Sequence, residues 1–158
     1  MSGTPEKKNV TSNLNFYEPG TNWVSLPNGD DYYTALFQTT IRPPTTEVYT
    51  LYVYQDNGAK TIIDGVTKAD HFADGLIVTT DTFAVSMNAG QSYSLVIYLL
   101  ETFGWSSVKM YWSTPTIPYQ LIPKDYFFYT KKVASSPYQI TVNCPYGYTG
   151  SDPSSPTK

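Results

Sequence analysis

The stretch Tyr49–Gly65, YTLYVYQDNGAKTIIDG, restricts the fold more than any other. Tyr49, Leu51 and Val53 alternate with Thr50, Tyr52 and Tyr54, the period of two of a half-buried strand. The corner Gln55-Asp56-Asn57-Gly58 then gathers oxygen donors beside a flexible glycine. A second strand, Ala59–Ile63, runs into Asp64-Gly65, a hairpin signal because a type I′ turn needs positive φ. The question raised by this stretch is whether its corner only turns the chain or also holds a metal and a ligand.

The same alternation recurs. Tyr33–Ile41 places Ala35, Phe37, Thr39 and Ile41 on one side, and Pro43-Pro44 ends it. Thr82–Met87 turns Phe83, Val85 and Met87 inward. Gln91–Leu100 carries Tyr93, Leu95, Ile97 and Leu99 on one face. Val96, Tyr98 and Leu100 on the other predict a central strand covered on both sides. Val108, Met110 and Trp112 mark a further strand, and Tyr126–Tyr129 and Tyr138–Val142 read as short closing ones. Residues 15–31 mix aromatics with the turns Pro19-Gly20 and Asn28-Gly29, with Trp23 and Val24 on the core. Residues 66–81 read as a longer connection with a second Asp-Gly at Asp74-Gly75. No segment shows a 3.6-residue stripe over three turns. The pattern predicts an all-β fold, an antiparallel β-sandwich of jelly-roll-like type. Residues 1–14 read as a flexible lead-in and 15–143 as the sandwich. Residues 144–158, rich in Pro, Gly and Ser, read as a linker or the start of a truncated cysteine-rich segment.

The chain's 158 residues suffice for one domain with one core. A net charge of −3 without any basic run makes nucleic acid and anionic membranes poor partners, and Lys131-Lys132 is too short for a patch. No apolar run approaches the roughly 18–20 residues of a membrane span. The opening MSGTPEKKNV lacks a signal-peptide core, and Asn9-Val10-Thr11 is a glycosylation sequon only if the chain is secreted. A single cysteine, Cys144, and a single histidine, His71, exclude a disulfide framework and multi-Cys or multi-His metal sites. Ser-His-Asp arrangements, phosphate loops and dinucleotide fingerprints are missing. Asp56 and Glu101 are the carboxylates a glycosidase reading would use, but a small sandwich offers no deep cleft; no enzyme is expected.

Taken together, Tyr49-Thr50-Leu51, Asp56-Asn57-Gly58, Ile63-Asp64-Gly65, Asn88-Ala89-Gly90, Tyr93, the strand to Glu101 and Met110-Tyr111-Trp112 form an ordered set. It resembles the protective-antigen-type (PA-14) domain over roughly Phe16 to Tyr129. That family is a β-sandwich of a bacterial toxin component, yeast flocculins, adhesins and glycosidases. Its lectin members bind sugar through one calcium, held by two adjacent Asp residues often joined by a cis peptide, with further ligands from the loop before the last core strand. The resemblance implies an extracellular or cell-surface carbohydrate-binding module for adhesion. Its partners would be glycans or a glycoprotein, with neighbouring domains in a longer chain. It implies calcium on Asp56, Asn57 and Glu101, and sugar contacts from Asp56, Asn57, Thr102, Gly104 and Trp105. Asn57 stands where the second Asp would be, removing one negative charge and weakening any calcium site.

Each residue also has a plainer role. Asp56-Asn57-Gly58 suits a turn, and without a metal the domain would be a structural or protein-interaction module. Trp105 is expected to stack on sugar and Phe103 to fold back as a lid on the core. Glu101 is a metal ligand or a strand-end charge. Asp30-Asp31, the one adjacent Asp pair, reads as a turn and is the rival metal site. Asp70, His71 and Asp74 would line a ligand's rim or belong to a solvated loop, and Asp64 serves its turn.

Overall fold

The computed structural model describes residues 13–17, 33–73 and 78–129. The readings of the sequon at Asn9, Pro19-Gly20, Trp23, Val24, Asn28-Gly29, Asp30-Asp31, Asp74-Gly75, Lys131-Lys132, Tyr138–Val142, Cys144 and the tail lie outside them.

Two antiparallel sheets pack face to face. In chain order the strands are β1 (Asn15–Tyr17), β2 (Tyr33–Ile41), β3 (Glu47–Asp56), β4 (Gly58–Ile63), β5 (Val66–Asp70), β6 (Val78–Met87), β7 (Tyr93–Glu101), β8 (Ser107–Ser113), β9 (Gln120–Leu121) and β10 (Phe127–Phe128). The first sheet runs β1-β8-β3-β6, with β9 also on β8; the second runs β10-β2-β7-β4-β5. The inward residues of the alternating strands meet between them: Tyr49, Leu51 and Val53 of β3, Leu95, Ile97 and Leu99 of β7, and Val108, Met110 and Trp112 of β8 are all buried. Trp112 lies between Tyr49 and Tyr126, ring centroids 5.2 and 5.1 Å away.

β3 and β4 belong to different sheets, so the expected four-residue corner contracts to Asn57 alone, which carries the chain from one sheet to the other. Gly58 at the start of β4 has no room for a side chain: a Cβ there would overlap the His71 carbonyl oxygen. The Asp64-Gly65 turn forms as the sequence predicts, with φ of 47° and 78°. It is tied to β7 by Asp64 Oδ1, which accepts the Ser94 N–H at 2.6 Å.

Several expectations need correcting. Residues 66–81 are not one loop: Val66–Asp70 is an edge strand and β6 begins at Val78 rather than Thr82. Edge strands keep much of both faces in water, so they need no apolar alternation for a reader to detect. β7 is central in its hydrogen bonding, between β2 and β4, yet its outer side chains Val96, Tyr98 and Leu100 are only half-buried. Tyr126 ends a 3-10 turn, leaving Phe127 and Phe128 alone in the closing strand on β2. β1 and β9 are too short for alternation to show. Among the described residues no helix is long and apolar enough to cross a membrane.

Candidate functional site

One end of the sandwich gathers the residues singled out in the sequence. The register puts Asp56 opposite both Val78 and Ser107, Gly58 opposite Leu100, and Glu101 opposite Tyr33. The Asn57 crossing therefore lies against the loop Thr102–Ser106 that joins β7 to β8. The Asp56–Asn57 peptide bond is cis, the conformation the resemblance implies.

Asn57 is 5% exposed and both ends of its amide are hydrogen-bonded. Nδ2 donates to Asp56 Oδ1 at 3.0 Å. Oδ1 accepts from the Thr102 N–H and from Thr102 Oγ1, each at 3.0 Å. A backbone N–H can only donate, so Thr102 fixes which way the amide points, and the two contacts use both lone pairs of its oxygen. Burial raises the Asp56 carboxyl above its ordinary pKa, and the Asn57 hydrogen bond draws it partly back.

Glu101 is fully buried and follows Leu95, Ile97 and Leu99 on the inner side of β7, so it lies inside the sandwich rather than on its rim. The far end of the loop is anchored: the Tyr33 and Ser106 hydroxyls meet at 2.5 Å, and Ser107 Oγ donates to the Phe16 carbonyl at 2.8 Å. Between these anchors Gly104 takes φ of 95°, a left-handed conformation that suits glycine. The loop's two aromatics both face water. Trp105 is 63% exposed and meets the edge of Tyr17 at 6.0 Å; Phe103 is 54% exposed and so does not fold back onto the core as expected.

Behind the corner lies a polar patch that sequence reasoning missed. Gln55, placed in the corner by its sequence, continues the inward row of Tyr49, Leu51 and Val53; it is fully buried, with its amide toward the Asp81 carboxyl. Parity with Val53 was the signal for it. Nearby, His71 Nε2 lies 3.1 Å from Asp81 Oδ1, joining the region after β5 to β6. Burial raises the Asp81 carboxyl, while His71 and Gln55 oppose the rise. Asp70 pairs with Lys60 at 2.6 Å along the edge of the second sheet instead of facing a ligand.

Calcium takes six to eight oxygens. Of the three ligands the resemblance implies, the Asp56 carboxylate alone is offered at the corner. Asn57 has spent its oxygen on Thr102 and turns a donor toward Asp56, and Glu101 is in the core. Among the described residues no three His, Cys, Asp or Glu side chains converge on a common point. This arrangement does not fit a resident calcium held by those three residues. What it presents outward is a carboxylate, a threonine and an exposed indole.

A family model described as "PA14 domain" matches residues 2–126. The anti-sigma-I factor RsgI3 of Acetivibrio thermocellus is 24% identical over 100 residues, 63% of this chain and 15% of that protein. A solved anti-sigma factor domain-containing protein superposes with a TM-score of 0.69 at 21% identity, over 78% of this chain and 42% of that one. Another, from Clostridium clariflavum, gives 0.64 at 21% identity, over 81% and 43%. The A domain of epithelial adhesin 6 from Candida glabrata, solved with Galβ1-3GlcNAc, gives 0.54 at 18% identity, over 80% and 72%. At these identities the structures speak for the fold alone, and the chain spans less than half of the anti-sigma proteins it matches. The order of strands, the cis corner and the family match over most of its length together place this chain in the PA14 domain family.

Proposed function

We propose that this chain is a carbohydrate-binding module of a longer protein, working at the cell surface or outside the cell, with the Asn57 corner and the Thr102–Ser106 loop as its sugar site. The observation that carries this reading is Trp105. It is a large apolar ring, 63% exposed, on a loop pinned at both ends and standing at the same strand ends as the Asp56 carboxylate. An indole offers a rigid face for the C–H side of a pyranose, and a carboxylate and a hydroxyl can bind its hydroxyls. Family membership supports the reading, and the adhesin domain of the same fold was solved with a disaccharide. The shares of the anti-sigma relatives that are covered support a place within a longer chain.

Calcium is not a premise of this reading, because an ion beside Asp56 would compete with Thr102 for the Asn57 oxygen. The test is glycan-array binding and titration calorimetry, with calcium and with chelator. Trp105→Ala is expected to weaken sugar binding at least about tenfold while leaving the unfolding temperature unchanged, since exposed substitutions cost little. Asn57→Asp would restore a second carboxylate and is expected to bind calcium more tightly than the wild type. If the wild type binds no glycan in either condition, the sugar reading fails. A structural or protein-interaction role then stands, favoured by the closed hydrogen bonding of Asn57.

A further inference from the structure

The outer side of the first sheet carries an unusual set of rings. Tyr52 and Tyr54 of β3 point away from the core, alternating with the buried Leu51 and Val53. Tyr111 of β8 stands opposite Tyr52, and Lys109 stands opposite Tyr54. Tyr119, just before β9, stacks on Tyr111 with centroids 5.1 Å apart and planes 8° from parallel, and it meets Tyr52 edge-on at 4.9 Å. Tyr119 itself is 58% exposed. Toward the corner, the Lys109 ammonium bridges two more rings, 4.9 Å from the Tyr17 centroid and 5.6 Å from that of Tyr54. Tyr17 in turn touches Trp105. The rings thus form two groups on one side of the sheet, Tyr119 with Tyr111 and Tyr52, and then Tyr54 and Tyr17 joined through Lys109, the second reaching the loop of the proposed sugar site.

We infer that this tyrosine face is a second binding surface, and that its ligand is an extended neutral polysaccharide lying across the sheet.

Charge argues for that ligand class over others. At the strand positions that share the outward side of Tyr52 and Tyr54, the described residues supply one cation, Lys109, and one carboxylate, Asp56 at the end; Glu47 and Asp81 fall on the inward parity. The Lys109 charge is already held against two ring faces. A single-stranded nucleic acid also stacks on aromatics, but it needs a positive groove along its backbone, and this chain carries a net charge of −3. A polysaccharide without charge needs only ring faces for its C–H surfaces and hydroxyls for its own. Tyrosine supplies both on a side chain that loses little freedom when it binds. Burial raises the Tyr54 and Tyr111 phenols above their ordinary values, so both stay protonated and can donate as well as accept. Positions two apart on one strand lie about 7 Å apart and neighbouring strands about 4.8 Å apart, so rings on three strands span several sugar units. The contact of Tyr17 with Trp105 lets one chain occupy the face while its end reaches the corner.

This proposal goes beyond the corner reading, and the two can fail separately. The probe is affinity electrophoresis through gels holding soluble neutral polysaccharides (hydroxyethylcellulose, xyloglucan, galactomannan), against a polyuronate and single-stranded DNA. The wild type is expected to be retarded by at least one neutral polymer, with no more retardation by the two polyanions. Tyr119→Ala, in an exposed side chain, should weaken that retardation at least about fivefold, and Tyr54→Ala serves as a second variant. Circular dichroism melts confirm that each variant folds. Trp105→Ala should retain part of the retardation, although it loses short saccharides in calorimetry. Failure of every neutral polymer, or wild-type retardation in folded Tyr119→Ala and Tyr54→Ala, overturns the tyrosine face and leaves the corner reading standing. Loss of all retardation in Trp105→Ala alone assigns the long chain to the corner and also overturns it.

Discussion

Asp56 shows how a single side chain can work against the stability of the fold it helps to shape. Its carboxyl is raised above the ordinary value near 3.8 because burial disfavours the charged form, and the Asn57 donor offsets only part of that. The folded chain therefore holds this proton more tightly than the unfolded chain. Asp56 contributes its stability fully below about pH 4 and loses it as pH rises through the raised value. Asp81 has the same sign; Glu47 and Asp70, lowered by hydrogen bonds, have the opposite one and lose their contribution as pH falls. Asp56→Asn keeps an oxygen to accept the Asn57 donor and removes the charge. Thermal unfolding across about pH 3–8 should show no difference from wild type at the acid end and a gap in the variant's favour that widens toward neutrality. A gap that stays constant with pH would refute the burial argument. The sequence displayed Asn57 in place of a second carboxylate. It could not display Thr102, 45 residues away, taking up the amide oxygen, because that bond exists only once β4 and β7 are paired.

At the scale of elements, the legible strands were those with one face on the core. β3, β7 and β8 declared themselves because buried positions alternate with more exposed ones along each; β2 was legible from its residue types although its burial does not alternate. β5 hid because an edge strand reading Val-Thr-Lys-Ala-Asp buries little, and β1 and β9 because two or three residues cannot show a period. The crossing at Asn57 reads in the sequence as a four-residue corner for a related reason: nothing local distinguishes a turn within one sheet from a passage between two. Gly58 is the element-level test of that passage. The carbonyl it would collide with belongs to His71, whose own N–H donates to the Ala59 carbonyl at 2.8 Å, so neither backbone can yield without giving up sheet pairing. Gly58→Ala is expected to cost about 1–3 kcal/mol, as overpacking of a tight contact does. Denaturant melts would read the loss, together with faster amide exchange at Ala59 and His71. A melt indistinguishable from wild type would mean that the crossing has slack.

Across the whole molecule the two described tryptophans differ in burial, one in the core and one at the surface, and their sequence settings differ to match. Trp112 sits in an alternating strand beside Val108 and Met110, whereas Trp105 follows Gly104 in a loop. In the folded chain Trp112 is 1% exposed and clasped by Tyr49 and Tyr126, while Trp105 is 63% exposed. Removing a buried indole forfeits its transfer energy and leaves a cavity, together about 3–5 kcal/mol, against a total stability for such a domain of about 5–15 kcal/mol. Trp112→Ala should therefore lower the unfolding midpoint by roughly 6–20 °C, at about 2–4 °C per kcal/mol for a chain of this size. Because Trp112 joins the first sheet to the segment that closes the second, the loss should appear as one cooperative transition shifted downward rather than as local fraying. Trp105→Ala, the same change in residue type, should leave the midpoint in place. Equal shifts for the two variants would mean that the indole exposed beside the corner is part of the core, and the separation of scaffold from site would have to be redrawn.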